Sequence, residues 1–169
     1  MLARPADDEY VEYYRLYVNR VPKGNILDII AAQIPATAEF LGVIDEQKAL
    51  YRYAPEKWSI KEVVGHVIDV ERLFQYRAWA ISRNDTALPG MEQDDYVAHS
   101  NFDDRALADL IEDYRLTRLA GLSLFKGLDA ELASRRGTAN GVEFSVRSFP
   151  YILAGHNIHH MGVIKERYL

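Results

Sequence analysis

The sequence predicts an all-α protein, a four-helix bundle with a short N-terminal helical extension. Three observations predict it. Four long segments carry apolar residues at the helical period of 3.6. Strand patterns are nearly absent, with only Thr138 to Phe144, around Asn140-Gly141, reading as a small hairpin or tight turn. At 169 residues the chain suits one domain with one sizeable core, so residues 1–169 are expected to form a single unit.

The elements follow in order. Residues 1 to 24 carry Tyr10, Tyr13, Tyr14 and Tyr17 and are expected to pack a short helix against the bundle. The first long helix, about Asn25 to Asp45, places Ile26, Ile30, Phe40, Leu41 and Ile44 on one face. Pro35 lies inside it, which predicts a kink or an offset start. The second opens on Ser59-Ile60-Lys61-Glu62, an S-x-x-E capping box, and runs to about Arg83 with Val63, Val67, Val70, Leu73, Phe74 and Ile81 inward. The third begins after Asp103 or Asp104 and reaches about Lys126, aligning Leu107, Ile111, Tyr114, Leu122 and Phe125. The fourth is expected from near Ser145 almost to Leu169, with Phe149, Ile152, Leu153, Val163 and Ile164 inward. Each half reads as a long helix, a short acidic turn, a loop and a histidine-bearing helix. The link between the halves, Asn84 to Phe102, contains Pro89-Gly90 and is long enough to cross the bundle end, letting the third helix run parallel to the second.

Composition narrows the function. Lys and Arg number 20 against 25 Asp and Glu, with no basic run, so no nucleic-acid partner is expected. No apolar stretch approaches the roughly 20 residues of a membrane span, and Met1-Leu2-Ala3-Arg4-Pro5 opens no apolar leader, so a cytoplasmic location is expected. The chain has no cysteine, which leaves histidine, carboxylate or carbonyl groups as metal ligands. A phosphate-binding glycine loop and a G-x-S-x-G nucleophile elbow are both lacking.

Polar residues in the middle of apolar stripes need a reason. At 100° per residue, His66 falls in the stripe with Val63, Val70 and Leu73. His156 and His160 stand one turn apart in the stripe of the fourth helix, and the i, i+4 spacing lets both imidazoles reach one ion. If the second and fourth helices are antiparallel, the depths agree. His66 lies roughly 10 Å into its helix, and His156 and His160 lie roughly 13 to 20 Å from the C-terminal end. A lone inward histidine is more often a hydrogen-bonded core residue; the pair, and then the third at matching depth, favour a metal site. A three-histidine site leaves positions open for water or substrate, as in catalytic metal centres. Neutral imidazole suits zinc, nickel, cobalt, iron or copper. His159 lies on the flank of the stripe, and His99, in the linking loop, reads as a surface residue.

Gln33 and Thr37 interrupt the first helix's apolar face, and Arg77 and Arg118 interrupt those of the second and third. Either arginine makes structural ion pairs, with Glu62 or Asp69 as candidate partners, or one serves as a clamp for an anionic substrate. The segment Met91-Glu92-Gln93-Asp94-Asp95-Tyr96 is a candidate lid.

With these residues in view, the chain resembles the DinB superfamily, in particular its DinB-like/YfiT-like metalloenzymes. The matching stretches are Tyr53-Ala54-Pro55-Glu56-Lys57-Trp58-Ser59-Ile60-Lys61-Glu62 with Gly65-His66, and Ala154-Gly155-His156-Asn157-Ile158-His159-His160-Met161-Gly162, with Lys165-Glu166-Arg167-Tyr168-Leu169 typical of one subgroup. The resemblance covers essentially the whole chain. It implies an up-down-down-up bundle in which His66, His156 and His160 bind a divalent metal, commonly nickel or zinc, and it implies homodimers.

Members of the family include metal-dependent transferases of low-molecular-weight thiols such as bacillithiol or mycothiol, and a mycothiol-dependent isomerase. Many others have no assigned activity. The expectation is therefore a metal-dependent thiol S-transferase acting on a small electrophilic substrate. The thiol must come from a bound cofactor, because the chain has none. Arg77 or Arg118 is the expected partner of substrate charge. Two alternatives stand beside it: a metal-dependent hydrolase with Asp69 or Glu62 as general base, and a non-catalytic metal-binding stress or scaffold protein.

Overall fold

In the computed structural model, which describes residues 2–169, four helices begin at side-chain caps, on Asn25, Asp45, Ser59 and Asp129. A 3₁₀ turn, Glu12–Tyr14, leads into α1 (Arg15–Val18), the N-terminal extension. Helix α2 (Ile26–Gly42) opens where the Asn25 side chain accepts the Leu27 N–H, and it continues through Pro35. Asp45 caps the single turn α3 (Glu46–Ala49). Helix α4 (Ile60–Ser82) opens on the capping box: Ser59 accepts the Glu62 N–H, and the Glu62 carboxylate accepts the Ser59 N–H at 2.7 Å. Helix α5 (Gln93–Ala98) lies in the link between the halves, followed by α6 (Leu107–Lys126). Asp129 caps α7 (Ala130–Ser134), and α8 (Ser148–Val163) ends in a π-helical turn, Ile164–Tyr168.

Two starts differ from the sequence expectation. Asp103 does not cap α6: its carboxylate accepts the Ser59 hydroxyl at 2.5 Å and pairs with Arg52 at 2.7 Å, so the segment forms a 3₁₀ turn, Phe102–Asp104. The Leu107 N–H is instead taken by the Glu46 carboxylate at 2.7 Å. Ser145 does not start α8, because it ends a strand.

That strand belongs to a small sheet. Strand β1 (Ala87–Leu88) pairs in parallel with β2 (Arg136–Ala139), which pairs antiparallel with β3 (Val142–Ser145). Asn140 and Gly141, at φ 55° and 75°, supply the two left-handed positions that a tight Asn-Gly hairpin requires. The hairpin was expected; β1 was not. Its two residues fasten the long link to the hairpin and so fix where Met91 to Asp94 hang.

Side-chain pairs give the helix directions. Arg72 meets Asp113 and Gln75 meets the Thr117 carbonyl, so α4 and α6 run parallel. Tyr114 meets Thr37 and Arg118 meets Gln33, so α2 and α6 are antiparallel. Gln33 meets Ala154 and Thr37 meets Asn157, so α2 and α8 are parallel. The order is up-down-down-up, with α2 and α4 each packed between α6 and α8. The apolar interior falls into two clusters, one around Phe74, Phe144 and Phe149 and one around Val64, Leu110 and Ile164. Among the described residues, no helix is long and apolar enough to cross a membrane.

Candidate metal centre

His66 lies in the second turn of α4, and His156 and His160 lie one turn apart on α8. Glycine precedes two of them and allows close approach from behind. A Cβ on Gly65 would stand 2.3 Å from the Phe102 ring, and one on Gly155 would stand 1.9 Å from the Tyr17 carbonyl oxygen. The linking segment and the N-terminal extension therefore press directly on the histidine-bearing turns.

The antiparallel pairing of α4 and α8 brings the three imidazoles together. His66 Nε2 lies 3.2 Å and His160 Nε2 3.0 Å from His156 Nε2, and the three ligand atoms all lie within 4.8 Å of one another. His66 and His156 are buried and His160 half-buried. Burial holds the His66 pKa down to about 4 and that of His160 to about 2, the latter helped by the neighbouring imidazoles. Burial, then His160 and His66, hold His156 well below the usual histidine range. All three are neutral at pH 7, the form that ligates metal.

Three neutral Nε2 atoms at such distances do not satisfy one another. A proton on one can serve a neighbour, but the remaining lone pairs still face each other; a cation between them satisfies all three. Nitrogens at 2.0–2.1 Å around one tetrahedral ion stand about 3.3 Å apart, close to the spacings found here. The donor set fits a divalent metal. One feature departs from usual metal sites: His156 Nδ1 is buried without a hydrogen-bond partner, where ligating imidazoles ordinarily donate that N–H.

Aromatic rings wall the cluster. Trp58 lies 4.8 Å from His66 between ring centres, and Tyr17 lies 5.3 Å from His156 and 5.5 Å from His159. Two cavities flank it. One, of about 420 Å³, is reached by His66 and His156 and extends past Tyr14 and Phe74 to Arg77. The other, of about 460 Å³, is reached by His160 and His159 and is lined by Lys57 and Trp58. Asp94, from the acidic segment of the link, lines both. The candidate lid thus borders the cavities beside the cluster, while His159 sits at its flank.

The structure treats the other candidate residues unequally. Arg77 comes to the first cavity. Arg118 does not. It is 1 % exposed, with Nη1 3.1 Å from the Glu71 carboxylate, Nε donating to the Tyr114 hydroxyl and Nη2 donating to Gln33. Neither Glu62 nor Asp69 lines either of these two cavities: Glu62 is held in the capping box and by Arg52, and Asp69 faces Arg72. The sequence reading missed Glu71 as the buried partner of Arg118 and Asp94 as the carboxylate next to both cavities. Glu71 shares the α4 stripe with Val67 and Phe74, a signal that was available. Asp94 stands exposed in the first turn of the six-residue helix α5, too short for a periodicity to mark it.

No curated protein matches the sequence. Among solved structures, the fold resembles YfiT from Bacillus subtilis, described as a probable metal-dependent hydrolase with an unusual four-helix bundle topology. The TM-score is 0.74 at 12 % identity, over 97 % of this chain and 90 % of that one. The family model of the DinB superfamily matches residues 30–164, a span that holds all three clustered histidines, and the chain belongs to that superfamily.

Proposed function

We propose that the protein is a divalent-metal-dependent enzyme with His66, His156 and His160 as ligands, and that it transfers a low-molecular-weight thiol to a small electrophilic substrate. The observation that carries this reading is the convergence of three neutral imidazoles between two cavities of similar size. Two compartments meeting at one reactive centre suit two small reactants. Bound there, a divalent ion such as nickel or zinc supplies the positive charge that favours the deprotonated form of a thiol or of water. The chain's own residues do the rest. Trp58 and Tyr17 pack against the imidazole rings, and the Met91–Asp94 segment borders the cavities beside them. Asp94, next to both cavities, is placed to take a proton from an entering nucleophile.

Hydrolysis is the second reading, supported by the description of YfiT. It uses the same histidines, with Asp94 rather than Glu62 or Asp69 as general base.

Metal analysis of tag-free protein tests the centre. About one divalent ion per chain is expected for the wild type and none for His156→Ala; equal metal content in both overturns the ligand assignment. Turnover of an electrophile with and without added thiol then separates the readings. Dependence on thiol supports transfer, and turnover indifferent to thiol overturns it in favour of hydrolysis.

A further inference from the structure

Among the described residues, five charged side chains of Asp, Glu, Lys or Arg are buried: Glu9, Lys61, Glu71, Arg77 and Arg118. Four have a partner of opposite charge. Glu9 pairs with Arg147, Lys61 with Glu46, and Glu71 with Arg118. Arg77 has none. It is 4 % exposed, one Nη donates to the Pro89 carbonyl at 2.7 Å, and its Nε is buried without any hydrogen-bond partner. Buried guanidinium groups are ordinarily paired, because an isolated buried charge is costly. The cation lies over the Phe74 ring at 5.1 Å and borders the cavity that ends at His66 and His156.

We propose that Arg77 is an anion receptor, and that this cavity takes an elongated substrate carrying a carboxylate at the end remote from the histidines. His66 and Arg77 stand eleven positions apart on α4, roughly 16 Å along the helix axis, so one small group cannot occupy both ends. Between them the wall is apolar, from Val70, Leu73, Phe74 and Ile152. Tyr14, also in the wall, brings its hydroxyl beside the guanidinium. A guanidinium fork with one adjacent hydroxyl matches a planar carboxylate. Glu92 and Asp94 border the same cavity and oppose a more highly charged group such as phosphate. The reacting end of the substrate rests on the enzymatic reading above; the receptor end rests on Arg77 alone.

The test measures binding of n-octanoate and n-octanol by calorimetry, on metal-free and on metal-loaded protein. A carboxylate preference of about tenfold to hundredfold is expected in both forms, in keeping with a hydrogen-bonded charge pair. Arg77→Met is expected to abolish the preference while leaving metal content unchanged. A preference confined to the metal-loaded protein shows the carboxylate at the metal and overturns the proposal. So does a preference that survives in Arg77→Met. Should that variant fail to fold, Leu73→Trp fills the apolar middle of the cavity and must weaken octanoate at least tenfold; undiminished binding there overturns the proposal. The metal-free arm keeps this outcome separate from that of the metal centre, since it can succeed where metal binding fails.

Discussion

Two groups of buried polar side chains share helices α4 and α8, and they are built on opposite principles. Around Arg118 every charge has an answer: Glu71 opposite it, Tyr114 and Gln33 beside it, and the Thr37 hydroxyl joining Tyr114 to Asn157. Around His156 nothing answers. Three nitrogens face one another, no carboxylate reaches them, and Nδ1 has no partner. The first group pairs its charges on folding and ties four helices together, with only Asn157 Oδ1 and the facing Glu71 Oε1 and Arg118 Nη1 atoms outside its hydrogen bonds. The second is complete only with an ion. Burial alone does not separate a structural polar cluster from a functional one; what separates them is whether the protein supplies the partners.

The largest expected effect comes from breaking the satisfied group. Arg118→Met leaves the Glu71 carboxylate buried without its cation, which should cost about 3–5 kcal/mol in denaturant unfolding. Metal content of the folded fraction should be unchanged. Loss of the ion from folded Arg118→Met would show that the two groups are one coupled unit.

Next comes the helix they share. Gly155 lies between the Leu153 and Ala154 carbonyls, which accept bonds from Arg118 and Gln33, and His156. A Cβ there would meet the backbone of Tyr17. Gly155→Ala should destabilise by about 1–3 kcal/mol through overpacking and weaken metal binding by displacing the Tyr17 segment from His156. Unchanged stability and metal affinity would show that the N-terminal segment does not support the site.

Much of this arrangement is legible in the sequence, and the illegible parts share a cause. The long helices show because their apolar positions repeat, the α4 start because Ser59 and Glu62 stand three apart, and the hairpin because Asn-Gly marks it. The three histidines can be brought together on paper because bundle helices are rods with a known rise. Arg77 and Arg118 look alike in that reading, each a lone cation on an apolar stripe. Only the packing shows that Glu71 pairs with one and that, among the described residues, no acid pairs with the other. Strand β1 and the position of Asp94 depend on a pairing between residues 87–88 and 138–139, fixed by long-range docking rather than by any local pattern.

A smaller effect tests a satisfied pair outside both groups. The Arg147 guanidinium, through its hydrogen bond, holds the Glu9 carboxyl down at about 2 against an ordinary 4.5. A depressed carboxyl contributes stability above the unfolded pKa, and that contribution is lost as pH falls from about 4.5 toward 2. The pair is covered but shallow, so screening reduces its worth to on the order of 1–3 kcal/mol. Unfolding curves between pH 5 and 2.5 should show the loss in the wild type and a flatter dependence in Glu9→Gln. Identical slopes would mean that the pair forms equally in the unfolded chain.

The smallest stability effect should come from the site itself. His156→Leu removes an imidazole whose Nδ1 is unsatisfied and whose Nε2 opposes two like atoms, and it puts apolar volume in their place. In metal-free protein the change should stay within about 1 kcal/mol of zero, in either direction. Metal binding should be lost, and with it the stabilisation that a bound ion adds to the wild type. The contrast with Arg118→Met is then complete, with one substitution removing stability and sparing the ion while the other does the reverse. A loss of 3 kcal/mol or more in metal-free His156→Leu would instead make the histidines structural members of the core.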